Sequence, residues 1–278
     1  MNFIKKNPVL SYFALTFIIS WGGVYLFGSP YGMPANAEQF QKLWTAVVLP
    51  YFLGPTLAGL IMTGIMGGRM GFRQLRDRLF KWRVSIFWYA VALLAAPLVV
   101  TPLLIIFSLF SPVFLPGIIT TADKVTAIIT GIVTGVLFGG LMEELGWTGF
   151  AVYTLRQRSG ILTTGLIVGV LHGIWHFPPK ILISPALVLT PFLAIDLLTA
   201  IVGLTAWRIL FVWVYDRTGG SLLVTMLMHA SLTASTLFIL APGATGGSLV
   251  VFNLAAAAAA WAVVGAVVLA DRRKFAQQ

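Results

Sequence analysis

The chain has 278 residues, of which 59% are hydrophobic and only 9% are charged, and its formal net charge is +10. Its mean hydropathy of +0.95 excludes a soluble globular domain, in which about a quarter of the residues are charged. Cysteine is absent, which excludes disulfides, iron–sulfur clusters and cysteine-ligated zinc. We therefore expect an all-α, polytopic integral-membrane domain that covers 1-278.

Eight apolar runs are long enough to cross a bilayer as helices, because one span needs about 20 residues. These runs cover 8–27, 44–66, 85–110, 125–150, 161–179, 187–213, 221–240 and 248–270. The first run follows a basic segment, as a signal peptide would, but no clear Ala-x-Ala cleavage site follows it. We interpret it as a retained first transmembrane helix.

The basic residues predict the orientation of these spans. With the N-terminus inside, the inner segments hold fourteen Lys or Arg residues, whereas the outer loops hold only Lys42, Lys124 and Lys180. Such a bias predicts that both termini are cytoplasmic, and we expect a prokaryotic plasma membrane. The basic cluster at 69–83 then lies against anionic lipid, which argues against a nucleic-acid partner.

Carboxylates and histidines occur inside the apolar runs, where ionisable side chains are costly and usually functional. Glu143 and Glu144 are adjacent in run four, and His172 and His176 lie one helical turn apart in run five. Run seven contains His229, the third and last histidine of the chain. We expect these five side chains to meet in one site.

The turn between runs four and five supports this expectation. Glu143 lies 16 residues before Ser159 and His176 lies 17 residues after it, so antiparallel helices would place both at one depth. His229 lies only nine residues beyond Gly220, at the end of the turn before run seven. The site is therefore expected nearer the cytoplasmic face than the bilayer centre.

The chemistry that these residue types support is the activation of water. A glutamate in a low-dielectric site has a raised proton affinity, which suits a general base near neutral pH. One histidine can orient the water or protonate a leaving amine, and another can donate to an oxyanion. Zinc stays open, because Glu143, His176, His229 and also His172 offer suitable ligand atoms.

Three motifs resemble those of the CPBP family, the CAAX proteases and bacteriocin-processing enzymes, also called the ABI family. The family motif EExxxR is similar to Glu143-Glu144-Leu145-Gly146-Trp147-Thr148, and FxxxH is similar to His172-Gly173-Ile174-Trp175-His176. The third motif, Hxxx usually followed by Asn, is similar to His229-Ala230-Ser231-Leu232-Thr233. The preceding segment, 213–221, also resembles the family's lead into that motif.

The resemblance implies an eight-helix intramembrane endopeptidase similar to the type II CAAX prenyl endopeptidases, with a catalytic core at 125-240. It implies a conical cavity open toward the cytoplasmic side and a substrate that is a peptide or a membrane-associated protein. Glu143 would activate water with the help of His176, and Glu144 would support the site. His229 would form the oxyanion pocket with Thr233.

The chain differs from the family motifs at three positions, where it has Thr148 for Arg, His172 for the aromatic residue and Thr233 for Asn. We expect Arg208, within run six, to replace the missing arginine as the partner of Glu144. The alternative is that the Arg208 head extends to the membrane interface. Asp196, in the same run, has no evident partner and is expected at the interface.

Two other function classes stay open on the sequence alone. One is a non-catalytic immunity or scaffold protein with the same fold, which Thr148 and Thr233 would favour. The other is a proton-coupled transporter, because buried glutamate and histidine can relay protons. The absence of a visible internal repeat argues against the transporter.

Overall fold

The computed structural model describes residues 2–31, 37–183 and 192–276, and regular structure within these ranges is helical. Eight helices are long and apolar enough to cross a membrane, as predicted. They are α1 (Pro8–Tyr31), α2 (Lys42–Leu79), α3 (Ile86–Ser108), α4 (Lys124–Leu155), α5 (Ile161–Ile181), α6 (Phe192–Arg217), α7 (Leu222–Ile239) and α8 (Gly246–Ala270). The predicted start of run six, 187–191, lies outside the described residues.

The second helix is bent sharply at Gly68, whose φ of 52° is in the left-handed region that favours glycine. Beyond this bend, the basic segment packs against the ends of α4 and α7. Leu75 is buried in one cluster with Leu222 of α7, and the Arg78 guanidinium lies 3.7 Å from the Tyr153 ring centroid of α4. The bend therefore places the basic segment across the ends of the helices that carry the candidate site.

A row of glycines brings α5 unusually close to α6. A Cβ added to any of the three would lie between 2.5 and 2.7 Å from a Cα atom of α6, which leaves no room for a side chain. The facing pairs are Gly165 with Ile209, Gly169 with Thr205, and Gly173 with Ile201. Small residues at four-residue spacing permit such close helix packing in membranes. This contact sets α5 directly beside the helix that carries Arg208.

The middle of α4 is wound as π-helix rather than α-helix, from Gly135–Glu143 and again from Trp147–Val152. Its glycines face α7: a Cβ on Gly140 would lie 3.0 Å from a backbone oxygen of that helix, and one on Gly135 would overlap the Ala230 carbonyl oxygen. π-Helical turns occur frequently at functional sites. Here the first π-helical stretch ends at Glu143, and Glu144 follows it directly.

Two ion pairs connect α6 to neighbouring segments, one near each end of this helix. Arg156, in the turn after α4, binds Asp216 of α6 through Nε and Nη2 at 3.0 and 2.6 Å. Lys180 Nζ, at the end of α5, lies 2.7 Å from Asp196 Oδ2 at the start of α6. Asp196 is only 6% exposed. Because Lys180 pairs with it, the expectation that it has no partner is wrong. A partner separated by 16 residues and a connecting segment could not be read from the sequence.

Candidate active site

The three histidines and two glutamates of the apolar runs do come together, as predicted. Glu143 and Glu144 come from α4, His172 and His176 from α5, and His229 from α7. Four of these side chains are buried and His176 is half-buried. The site therefore lies inside the helix bundle, where few water molecules compete for its hydrogen bonds.

Glu144 is enclosed by three donors from three helices. Arg208 Nη1 of α6 lies 2.9 Å from Oε1 and 3.0 Å from Oε2. His229 Nδ1 of α7 lies 2.7 Å from Oε1, and the Thr148 hydroxyl donates to Oε2. Because Arg208 is completely buried, its head does not extend to the interface. The predicted contact between Arg208 and Glu144 is present.

Glu143 has a different environment, in which its partners are aromatic rings. Its Oε2 accepts a hydrogen bond of 3.1 Å from Trp147 Nε1 and lies 2.8 Å from His172 Nε2. His229 Nε2 is further away, at 4.0 Å. The histidine that contacts Glu143 directly is therefore His172, at the position where the family motif has an aromatic residue.

His172 also contacts Arg208, whose Nη2 lies 3.0 Å from His172 Nδ1. One guanidinium thus contacts Glu144 through Nη1 and His172 through Nη2. The contact depends on the close packing of α5 on α6, because Gly169 and Gly173 flank His172 along the chain. His172 therefore connects Arg208 to Glu143, a role that the sequence did not indicate.

His176 stands where the regular part of α5 ends, since this helical stretch runs over Ile161–Trp175. Its Nδ1 lies 3.0 Å from the backbone oxygen of His172, so Nδ1 carries the proton and donates. A neutral His176 ring then has its lone pair on Nε2. The backbone oxygen of the preceding residue, Trp175, accepts from Tyr51 Oη at 3.1 Å and from Trp21 Nε1 at 3.2 Å. These two bonds from α1 and α2 fix the break that presents His176.

Thr233 lies one helical turn beyond His229 on α7 and packs against Gly139 of α4. A Cβ on Gly139 would overlap the Thr233 hydroxyl and would also lie 3.3 Å from the His229 ring. Both Thr233 and His229 therefore belong to the same face of α7, directed at α4. Their joint role in an oxyanion pocket stays a prediction.

A metal ion would need ligand atoms from several side chains that lie close together. In the described part of the chain, one group of three possible ligands lies close together: Glu143, His172 and His176 have ligand atoms within 4.8 Å of one another. This group has His172 where the sequence suggested His229, whose Nδ1 contacts Glu144 and whose Nε2 lies 4.0 Å from Glu143 Oε2.

The contacts of His172 make it unsuitable as a ligand. Arg208 can only donate, so His172 Nδ1 must accept, and a neutral ring then carries its proton on Nε2. A protonated Nε2 has no lone pair for a metal ion. Two ligands of this group then remain, Glu143 and His176, fewer than the three protein ligands of catalytic zinc sites. The group does not fit zinc in this arrangement.

The chain is similar to a known protein family and to a curated relative. Residues 124–235 match the family model described as type II CAAX prenyl endopeptidase Rce1-like, a range that includes all five site residues above and Arg208. The chain is also 22% identical over 183 residues to CAAX prenyl protease 2 of Methanococcus maripaludis, an alignment that covers 63% of each protein.

Residues 124–235 of the chain are therefore similar to the Rce1-like enzymes of the CPBP family. The resemblance drawn from the three motifs is thereby confirmed, and the eight membrane-spanning helices agree with it. The aligned part covers less than two thirds of the relative's length. The relative's activity and substrate therefore apply to this chain only as a proposal.

Sequence reasoning missed one hydrogen-bond donor to Glu143. Trp147 is buried with its ring 5.0 Å from that of His172, and its indole nitrogen faces Glu143. The signal was present, because Trp147 lies four residues after Glu143 and so shares its face of a helix. It was obscured because tryptophan is enriched near the ends of membrane spans, where it anchors them at the interface.

Proposed function

We propose that the protein is an intramembrane endopeptidase of the CAAX-protease type, in which Glu143 activates water without a metal ion. The observation that carries the proposal is the environment of Glu143: a buried carboxylate bound through Oε2 by Trp147 and His172. Within the described residues no donor binds Oε1. That oxygen is the one proposed to take a proton from water.

The first step is the attack of water on the scissile carbonyl. Glu143 removes one proton from the water while the oxygen forms a bond to the carbonyl carbon. His176 accepts a second hydrogen bond from the same water through its Nε2 lone pair and so orients it. This role is supported by the Nδ1 contact to the His172 carbonyl, which fixes the ring.

The negative charge that develops on the carbonyl oxygen requires a donor. His229 is the proposed donor: as an imidazolium it would donate from Nδ1 to Glu144 and from Nε2 to the carbonyl oxygen. The Thr233 hydroxyl is the proposed second donor. Glu143 then returns its proton to the leaving nitrogen as the carbon–nitrogen bond breaks. Protons and charges balance over the two steps.

Glu144 acts only through its neighbours in this scheme. Its charge is matched by Arg208, with both side chains completely buried. A buried carboxylate that lacked this partner would be strongly destabilising. The Arg208–Glu144 pair thus replaces the pair that the family motif would form with an arginine at position 148.

The proposed location of the cut is the cytoplasmic end of the bundle, with both termini cytoplasmic. The fourteen-to-three bias of basic residues supports this orientation. The cavity open to the cytoplasm, which the family resemblance implies, is part of the same proposal. The proposed substrate is a peptide segment at the membrane surface, and the relative's name makes a prenylated CAAX peptide the first one to test.

The experiment uses purified protein in nanodiscs, a farnesylated peptide ending in a CAAX sequence, and the same peptide without the prenyl group. Mass spectrometry should detect release of the three terminal residues from one or both peptides, and the Glu143→Ala variant should release none. If neither peptide is cut, membrane peptidomes of cells with the wild type and with Glu143→Ala are compared. Identical peptidomes would refute the protease proposal and favour the non-catalytic alternative.

A further inference from the structure

Arg208 contacts two different site residues with the two ends of its guanidinium. Nη1 lies on the Glu144 carboxylate at 2.9 Å, and Nη2 lies 3.0 Å from His172 Nδ1. The group is also held from the side, since its Cζ lies 5.0 Å from the Phe211 ring centroid. A planar guanidinium has fixed directions for its N–H groups, so contact with one partner determines the approach to the other.

The contact with His172 determines which ring nitrogen carries the proton. Arginine has no acceptor atom and keeps all its protons, so the shared hydrogen belongs to Arg208 and His172 Nδ1 must be a lone pair. The only N–H of a neutral ring is then at Nε2, which lies 2.8 Å from Glu143 Oε2. Glu143 Oε2 can accept this hydrogen bond while the Glu143 carboxylate stays ionised.

We propose that Arg208 is a positioning residue that fixes His172 as the Nε2–H tautomer and thereby makes it a permanent hydrogen-bond donor to Glu143. The proposal deepens the proposed function and rests on it for its catalytic consequence. The tautomer itself follows from the contacts alone.

This arrangement connects the two positions at which the chain differs from the first two family motifs, Thr148 and His172. The phenylalanine of the FxxxH motif, placed at 172, could not donate to Glu143. An arginine at 148 would come from the same helix as the glutamates. Here Arg208 comes from α6, which packs against α5 through the glycine row, and therefore reaches a side chain of α5. His172 and Arg208 thus form one unit, which needs both residues.

The unit holds Glu143 from the side opposite to its reactive oxygen. His172 and Trp147 both reach Oε2, and their rings lie 5.0 Å apart, so the two donors approach the same oxygen together. With Oε2 held, the carboxylate cannot rotate freely, and Oε1 keeps its direction toward the water. Small errors in the direction of a base cost large factors in rate.

The tautomer can be measured directly, because the chain has only three histidines. Protein labelled with ¹⁵N-histidine is examined by NMR in nanodiscs, and the His176→Gln and His229→Gln variants assign the remaining signals. We expect His172 to be neutral, with a proton on Nε2 and none on Nδ1. A His172 ring protonated on Nδ1, alone or in addition to Nε2, would overturn the proposal.

A matched variant separates the two roles of Arg208. Arg208→Lys keeps a positive charge for Glu144 but lacks the fork that also reaches His172, so the fixed Nε2–H signature should be lost. If this variant keeps the wild-type His172 signals, Arg208 does not fix the tautomer. If it does not fold, the wild-type spectrum still decides the proposal.

The catalytic consequence is tested with the farnesylated peptide. Arg208→Lys and His172→Phe should each lower kcat by roughly ten- to a hundredfold with little change in KM, and the double variant should be no worse than the poorer single one. If the fold-loss of kcat in the double variant equals the product of the two single losses, Arg208 and His172 act separately. If the wild type does not cut this peptide, the kinetic test uses the substrate identified by the peptidome comparison, and the NMR result alone judges the tautomer.

Discussion

The Lys180 ammonium lies 2.7 Å from the Asp196 carboxylate and ties the segment that follows His176 to α6. Asn253 of α8 lies 3.5 Å from the other carboxylate oxygen. The backbone N–H of Lys180 also donates to the His176 carbonyl, at 3.2 Å. The ion pair therefore supports the helical turn on which His176 stands.

Removal of one partner of this pair should destabilise the protein. Asp196→Asn leaves the partly buried Lys180 without its counter-ion, and we expect a loss of roughly 1–3 kcal/mol, seen as a lower unfolding temperature in detergent. The matched control is Asp77→Asn, which breaks the exposed pair with Arg76 and should leave the temperature unchanged. Equal effects of the two substitutions would contradict the structural role of Lys180 and Asp196.

The glycine row of α5 gives a second prediction. A Cβ on Gly169 would lie 2.5 Å from the Thr205 Cα, so Gly169→Ala must move α5 away from α6. We expect a loss of stability of roughly 1–3 kcal/mol and a loss of activity as His172 moves away from Arg208. Gly67→Ala is the control, because a Cβ there meets nothing within 4 Å. The prediction fails if Gly169→Ala behaves like this control.

Substitutions at positions 148 and 208 test the proposal that Arg208 replaces the arginine that the family motif has at position 148. Arg208→Ala leaves the buried Glu144 charge without its main partner and should cost roughly 3–5 kcal/mol, so the protein should be poorly folded in membranes. Thr148 already contacts Glu144, so Thr148→Arg in the same chain should restore folding. The yield of monodisperse protein after detergent extraction measures this. No recovery in the double variant would show that position 148 cannot supply the charge.

Zinc content and sensitivity to chelators test whether the site uses a metal ion. Because His172 Nε2 is proposed to carry a proton, the site should hold no stoichiometric zinc after purification. Activity on the substrate peptide should persist with a chelator such as EDTA or 1,10-phenanthroline, with a known zinc protease inhibited in parallel. Loss of activity with the chelator and recovery with zinc would contradict a water-activating role for Glu143 alone.

Much of the fold could be predicted from the sequence, because a membrane span needs a long apolar run and each such run is separate. The meeting of Glu143, His176 and His229 could also be predicted, since ionisable groups in hydrocarbon must find partners. The individual hydrogen bonds could not. They depend on the closeness of α5 to α6 and on the π-helical winding of α4, and neither follows from periodicity. For this reason the sequence paired Glu143 with His176, whereas His172 makes the contact.

Glu143→Gln tests the central claim most directly. Glutamine keeps the size of the side chain and an oxygen for Trp147 and His172, but it cannot take a proton from water. With a peptide that the wild type cuts, we expect the rate to fall by roughly 10²–10⁴-fold while the unfolding temperature changes little. The Asp77→Asn variant, which exchanges an exposed carboxylate for an amide, should cut at the wild-type rate. Cleavage by Glu143→Gln at the wild-type rate would contradict the role of Glu143 as the base.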